Sequence, residues 1–329
     1  MSLGGCASAT AVGTSDASSS AGSSGTAKAS PPPFFPLTGL KADSAASGRP
    51  ALSIKIDNIT GALPQSGLNN ADIVVEELVE GGLTRLFATY QSRDADVVGP
   101  IRSARPVDAD LLSQLGGGLF AYSGAAPGEI APVEDHSGAT LLNMESASSA
   151  FYRESSRRAP HNVYASTAAL YGAGAEAGAP SNPPPALFKF GALTTGSPTT
   201  DADVPMGHLT SVAWRWNAIN ANYERDQNGA ADVLDDGSRI TTDNVLIMSV
   251  GVEGSGVRDV RGVEDPLVVV IGEGQCWLMR DGQLIEGRWS RAATNQPTVF
   301  RDNAGAEFVF HPGRSWVQLV QNSLTPSFQ

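Results

Sequence analysis

Cysteine is scarce in this chain: two in 329 residues, Cys6 near the start and Cys276 in an apolar run with Trp277, Leu278 and Met279. A pair so placed is no disulfide framework, and without a Cys-x-x-Cys or Cys/His spacing there is no zinc signature. Histidine is rare too, with four residues, and neither His-Glu-x-x-His nor an EF-hand spacing occurs. No metal and no cofactor is therefore expected. Residues 124–128 read as a loop that lacks the lysine of a phosphate-binding loop, and Gly254-Ser255-Gly256 is too short to be one. No stretch approaches the roughly 18 apolar residues of a membrane-crossing helix. Positive charge is also short: 22 Lys and Arg against 34 Asp and Glu leave a formal charge of −12. A nucleic-acid backbone would be repelled by that field and is not expected as a partner.

What is present suggests a turn-rich globular body behind a tail. Charged residues are only 17% of the chain, while 36 Gly and 21 Pro point to many turns and short strands. Leu3-Gly4-Gly5-Cys6 looks like a lipobox, the signal at which an export leader is cut and the cysteine lipidated. The Ala/Ser/Gly/Thr tract over residues 7–30 and Pro31-Pro32-Pro33 cannot bury a core and is expected to be a tether. Chance placement of Cys6 in a tail is the plainer alternative. No charged or apolar leader precedes Leu3, so the chain as written is not expected to be exported by itself, and Met1 to Leu3 are expected to be partly foreign to the natural chain. The expected organisation is a tether over residues 1–33, an amino-terminal domain over 34–185 and a carboxy-terminal domain over 186–329.

Residues 49–57 alternate apolar with polar and read as a strand ending in Asp57-Asn58. Residues 71–77 and 83–91 read as two strands joined as a hairpin across Gly81-Gly82. Pro106, with Asp108, Asp110 and the spacing of Val107, Leu111, Leu112 and Leu115, predicts a helix over 106–115. A strand follows over 118–123, and Ser166 is placed to cap an Ala-rich helix ending near Gly178. The Pro-rich segment 179–185 and a polar loop over 194–207 mark the domain boundary. Beyond it, short apolar runs separated by Asn228-Gly229, Asp236-Gly237 and Asp281-Gly282 predict strands. The fold class is then an α/β or α+β amino-terminal domain, a mixed sheet with flanking helices, followed by a mostly antiparallel β carboxy-terminal domain.

Several motifs occur in a fixed order: Pro36-Leu37-Thr38-Gly39-Leu40, Ile56-Asp57-Asn58, Pro64-Gln65-Ser66-Gly67-Leu68, Glu80-Gly81-Gly82-Leu83-Thr84-Arg85, Gly99-Pro100-Ile101-Arg102-Ser103-Ala104-Arg105 and Ala159-Pro160-His161-Asn162. With Pro312-Gly313-Arg314-Ser315-Trp316 near the end, the chain resembles the YerB-like lipoproteins over roughly residues 35–320. The resemblance implies a two-domain bacterial lipoprotein, lipid-anchored to the outer face of the cell membrane, with no established activity. It also shows a departure: Ala231 stands before Asp232 where many members carry His.

The candidate site gathers Asp57 and Asn58 at a strand end, Glu76, Glu77, Glu80 and Arg85 around a hairpin, Arg102, Ser103 and Arg105 before a helix, and His161 and Asn162 in a loop. Guanidinium forks beside a helix amino terminus suit a small anionic group, as on a cell-wall or glycan-type envelope ligand. Arg102, Ser103, Arg105, Asn58, Asn162 and Arg85 are the candidate ligand-binding residues. Equally, the arginines can pair with Glu76, Glu77 or Glu80 and need no ligand. His161 with Asp57 or Glu80 as its orienter makes a hydrolase or transferase conceivable, although no nucleophile elbow accompanies it. A scaffold without a small-molecule site is the third reading. The five tryptophans can stack on sugar rings or simply pack between strands.

Overall fold

The computed structural model describes residues 33–42, 45–193, 195–258 and 262–329; the lipobox and tether expected before residue 33 lie outside them. Leu52–Asp57 (β1), Ile73–Leu78 (β2) and Thr84–Tyr90 (β3) form an antiparallel unit, with Asp57 opposite Arg85 and Glu77 opposite the same Arg85. The hairpin turn between β2 and β3 uses left-handed Gly81 and Gly82, conformations that a side chain would strain. On its other edge β1 pairs in parallel with Leu119–Ala121 (β4), and β4 in parallel with Thr140–Leu142 (β5). The crossovers carry Asp108–Gln114 (α1) and Pro127–His136 (α2). Phe151–Arg153 (β6) and Val163–Ala165 (β7) form a short hairpin, after which Thr167–Glu176 (α3) is capped by Ser166, whose hydroxyl accepts from Ala169 N at 3.1 Å.

Helix α2 replaces part of the loop expected over 124–128. Pro127 opens the helix, where its missing N–H costs nothing, and the Glu129 carboxylate closes on Ala126 N at 2.6 Å. The helix also contains Pro132, a residue that ordinarily argues against a helix interior. The polar loop expected over 194–207 likewise contains a strand, Asp201–Pro205 (β8), which buries Ala202 and Val204 on one side and so follows a strand's two-residue period. With Ser211–Asn217 (β9) and Asn222–Gln227 (β10) it builds a small antiparallel sheet.

The carboxy-terminal half continues through Asn244–Arg258 (β11), Glu264–Val269 (β12), Gly272–Arg280 (β13), Gln283–Arg291 (β14), Val299–Asp302 (β15) and Ser315–Gln321 (β16). Most of its pairings are antiparallel. Strand β16 differs: it lies between β2 and β11 and is parallel to both, with Ser315 opposite Ile73 and Asn244. One sheet therefore runs β15-β14-β13-β11-β16-β2-β3-β1-β4-β5 through both halves. β16 is enclosed on both faces and both edges, and its apolar Trp316, Val317, Leu319 and Val320 are interrupted by a fully buried Gln318. One face of the sheet packs on α3 and the small sheet through Ile54, Leu86, Trp316, Leu170 and Trp214. The other packs on α1 and the Phe300, Phe308 and Phe310 cluster. Among the described residues no helix is long and apolar enough to cross a membrane.

Candidate functional site

The polar side of β1 is covered rather than solvated. Ser53, Lys55 and Asp57 project to one face at every second position, and all three are buried. Lys55 is enclosed by Glu77 and by Asp108, whose Oδ1 lies 2.7 Å from Nζ. Burial pushes the Glu77 carboxyl up to about 7, against the pull of Lys55. The second oxygen of Asp108 accepts Arg105 N at 2.7 Å. The protein's own carboxylate thus occupies the start of α1, where the sequence suggested an anion.

Arg105 corrects that expectation further. Its Nη2 reaches Glu80 at 2.6 Å, Nη1 reaches Glu129 at 3.1 Å and the Ala104 carbonyl at 2.8 Å, and Nε lies 3.0 Å from Asp265. Arg85 donates to Glu80 at 3.2 Å and to the Ser103 carbonyl at 3.1 Å. Burial opposes ionisation of Glu80, but Arg85 and Arg105 hold its carboxyl down at about 2. Three carboxylates, Glu80, Glu129 and Asp265, face two guanidiniums, so one negative charge is surplus. Burial, opposed by Arg105 and reinforced by Glu80 and Glu129, pushes Asp265 up to about 8. Arg105 and Arg85 are fastenings of this network, not free guanidiniums.

Asn58 is likewise enclosed: its amide donates to Thr84 at 2.8 Å, Gln227 at 3.0 Å and Glu76 at 3.1 Å. Asn162 is held by Arg153 Nη1 at 2.7 Å. Glu76 does not meet Arg102 or Arg105; it pairs at 2.8 Å with Arg225, which also grips Asp232 and lies 5.0 Å over the Trp316 ring. The sequence reading missed Lys55, Asp108, Glu129, Arg225, Asp232 and Asp265. Lys55 is an isolated base in an alternating strand, a pattern that fits a solvent-facing residue equally well.

The residues that do converge at an open position are Asp57, His161 and Arg102. Asp57 Oδ2 accepts His161 Nδ1 at 2.6 Å and lies 3.1 Å from Arg102 Nε. Asp57 is 1% exposed, whereas His161 and Arg102 keep 18% and 25% of their side-chain surface. Among the described residues, neither His161 Nε2 nor the terminal nitrogens of Arg102 has a partner. The backbone fixes this arrangement: Asp57 N bonds the Pro100 carbonyl at 2.9 Å and Arg102 N the Lys55 carbonyl at 2.8 Å. Gly61 lies beside the ring, where even a Cβ would stand 3.7 Å from Nε2. Arg157 ties the His161 loop down through the carbonyls of Ala62 and Pro64. Ser103 contributes its carbonyl to Arg85 and is not joined to this trio. Among the described residues no serine, threonine or cysteine is hydrogen-bonded to His161, and no cluster of metal-ligating side chains occurs.

Such a fold defines a two-part protein, α/β then β, joined by a shared sheet and carrying a carboxylate-anchored His/Arg pair at its surface. Residues 37–180 match the N-terminal domain, and residues 202–317 the C-terminal domain, of the family described as "Protein of unknown function (DUF3048)". The chain belongs to that family. It is 27% identical over 294 residues to "Putative lipoprotein YerB" of Bacillus subtilis (strain 168), covering 87% of this chain and 85% of the relative. The crystal structure of the Bacillus subtilis YerB protein superposes with a TM-score of 0.77 at 27% identity, over 90% of this chain and 99% of that one.

Proposed function

We propose that this chain is a lipid-anchored, extracytoplasmic binding module for a ligand with a small anionic group, received by Arg102 and His161. The observation that carries the reading is the shared oxygen of Asp57, which orients both side chains while their remaining nitrogens have no partner among the described residues. With His161 protonated, Arg102 and His161 together outweigh Asp57 by one positive charge and offer several N–H donors in a fixed array. Anchoring is supported by Leu3 to Cys6 and by the name of the Bacillus relative.

Inorganic phosphate should raise the thermal midpoint of the wild type and leave that of Arg102→Ala unchanged. Equal shifts in the two proteins would dispose of the reading. The acylated chain should partition with membranes and Cys6→Ala should not. A second reading, hydrolysis or transfer with His161 as base, is favoured by the same 2.6 Å contact, which leaves Nε2 as an acceptor in the neutral ring. It requires a nucleophile brought by the substrate or by water.

A further inference from the structure

The hairpin that leads to His161 carries an aromatic platform. Tyr152 of β6 and Tyr164 of β7 stand directly opposite each other, their ring centroids 6.0 Å apart and their planes inclined by 30°. Tyr164 is the inner ring: it is buried, it presses on Gly99, and its hydroxyl is enclosed without a hydrogen-bond partner. Tyr152 is the outer ring and is 43% exposed. Since one of its faces rests on Tyr164, the exposed surface is the opposite face and the rim.

The surrounding charge is opposite in sign to that of the whole protein. Residues 153–162 contain Arg153, Arg157, Arg158 and His161 against Glu154, in a chain of formal charge −12. Arg157 is used structurally and lies 5.8 Å from the Tyr164 ring centre. Arg153 has one bond, to Asn162. Arg158 is exposed and has no side-chain partner among the described residues. Asp235, held by Ser66 Oγ at 2.6 Å, and Glu154 are the acids close to both rings; after burial, both are among the charges that raise the two phenols.

We infer that this hairpin receives an anionic glycan chain, a sugar ring lying on Tyr152 and acidic substituents meeting Arg158, Arg153 and the Arg102–His161 pair. A phenol face offers apolar area to the C–H side of a sugar ring, and Asp235 can accept from its hydroxyls. An anionic bilayer is the other source of negative charge. It would call for aliphatic side chains that insert beside the arginines, whereas residues 153–160 read Arg-Glu-Ser-Ser-Arg-Arg-Ala-Pro. The inference rests on the anion reading for Arg102 and His161, and adds the class of the ligand.

The test uses the full-length, unacylated chain with an oligogalacturonate, a neutral malto-oligosaccharide of equal length, inorganic phosphate and phosphatidylglycerol vesicles as probes. The oligogalacturonate should bind and the neutral sugar should bind at least tenfold more weakly. Tyr152→Ala should weaken the oligogalacturonate about tenfold, Tyr152→Phe should retain it, and Arg158→Ala should weaken it severalfold. All three variants should keep the thermal response to phosphate. If phosphate acts on the wild type but the oligogalacturonate does not bind, or binds Tyr152→Ala equally well, this inference fails and the anion reading stands. If phosphate has no effect either, both fall. Vesicle binding in preference to the oligosaccharide would assign the patch to a lipid surface and overturn the glycan.

Discussion

The guanidinium of Arg225 lies 2.8 Å from the carboxylate of Glu76, and neither side chain has any exposed surface. Arg225 comes from the small sheet and Glu76 from the large one, so the pair bridges the two through charges removed from water. Its desolvation is offset by Asp232 on the other side of Arg225 and by the Trp316 ring beneath it. Removing one partner leaves the others buried and uncompensated. Arg225→Ala should therefore cost about 3–5 kcal/mol, read as a lowered denaturant midpoint, and Glu76→Gln combined with it should cost far less than the sum of the two single changes. Additive losses would show that the pair does not act as a unit.

Asp265 gives a pH dependence with a definite sign. Its folded pKa of about 8 lies above the ordinary 3.8, so the folded state holds a proton that the unfolded state releases. Stability from this group is fully present below about pH 4 and is lost as pH rises towards 8. Glu77, at about 7 against 4.5, works in the same direction. Asp265→Asn keeps the shape without the titration. Between pH 5 and pH 8.5 the wild type should lose stability relative to this variant, by at least about 1 kcal/mol, in urea melts at the two pH values. A constant difference would mean that Arg105 compensates Asp265 fully at every pH.

Much of the fold could be read from local pattern, and most of the network could not. β1, the β2–β3 hairpin across Gly81-Gly82 and the Ser166 cap follow from periodicities and turn residues that act within a few positions. The place of β16 between β2 and β11 does not, because its partners lie more than 60 and 230 residues away and a short strand of mixed apolar and polar residues carries no address. The polar positions of β1 mislead for the same reason. Their two-residue alternation matches a strand with one wet face, but α1, from a distant part of the chain, covers that face and brings Asp108 to Lys55. At the site, Glu80 was a named partner for the arginines, while Glu129 and Asp265 carried no signal until helix α2 and β12 were in place.

The face of the large sheet towards α1 is not fully packed. A cavity of about 60 Å³, lined by Val75, Phe87, Leu115, Met248, Val317 and Leu319, lies against it and is almost wholly apolar. Empty space of that kind forfeits dispersion contacts at roughly 24 cal/mol per Å³, so filling part of it should stabilise the fold. Val317→Ile adds one methylene and keeps the β-branched shape that a central strand favours. An increase of roughly 0.5–1 kcal/mol is expected in thermal or urea melts. A decrease would mean that the cavity wall cannot admit the added carbon without moving β16.

The parts played by the trio yield a test that does not depend on knowing the ligand. At one fixed pH, phosphate should bind the wild type, His161→Gln should bind it weakly, and Arg102→Ala should lose at least tenfold. Asp57→Asn separates charge from orientation. If only net charge mattered, deleting a carboxylate 2.6 Å from His161 and 3.1 Å from Arg102 would strengthen phosphate binding. If Asp57 acts by aiming both side chains, the same change weakens it despite the added positive charge, because the freed donors must be ordered again at each binding event. The second outcome is expected, measured by calorimetry at fixed ionic strength. The first would reduce the trio to an electrostatic patch without a built site.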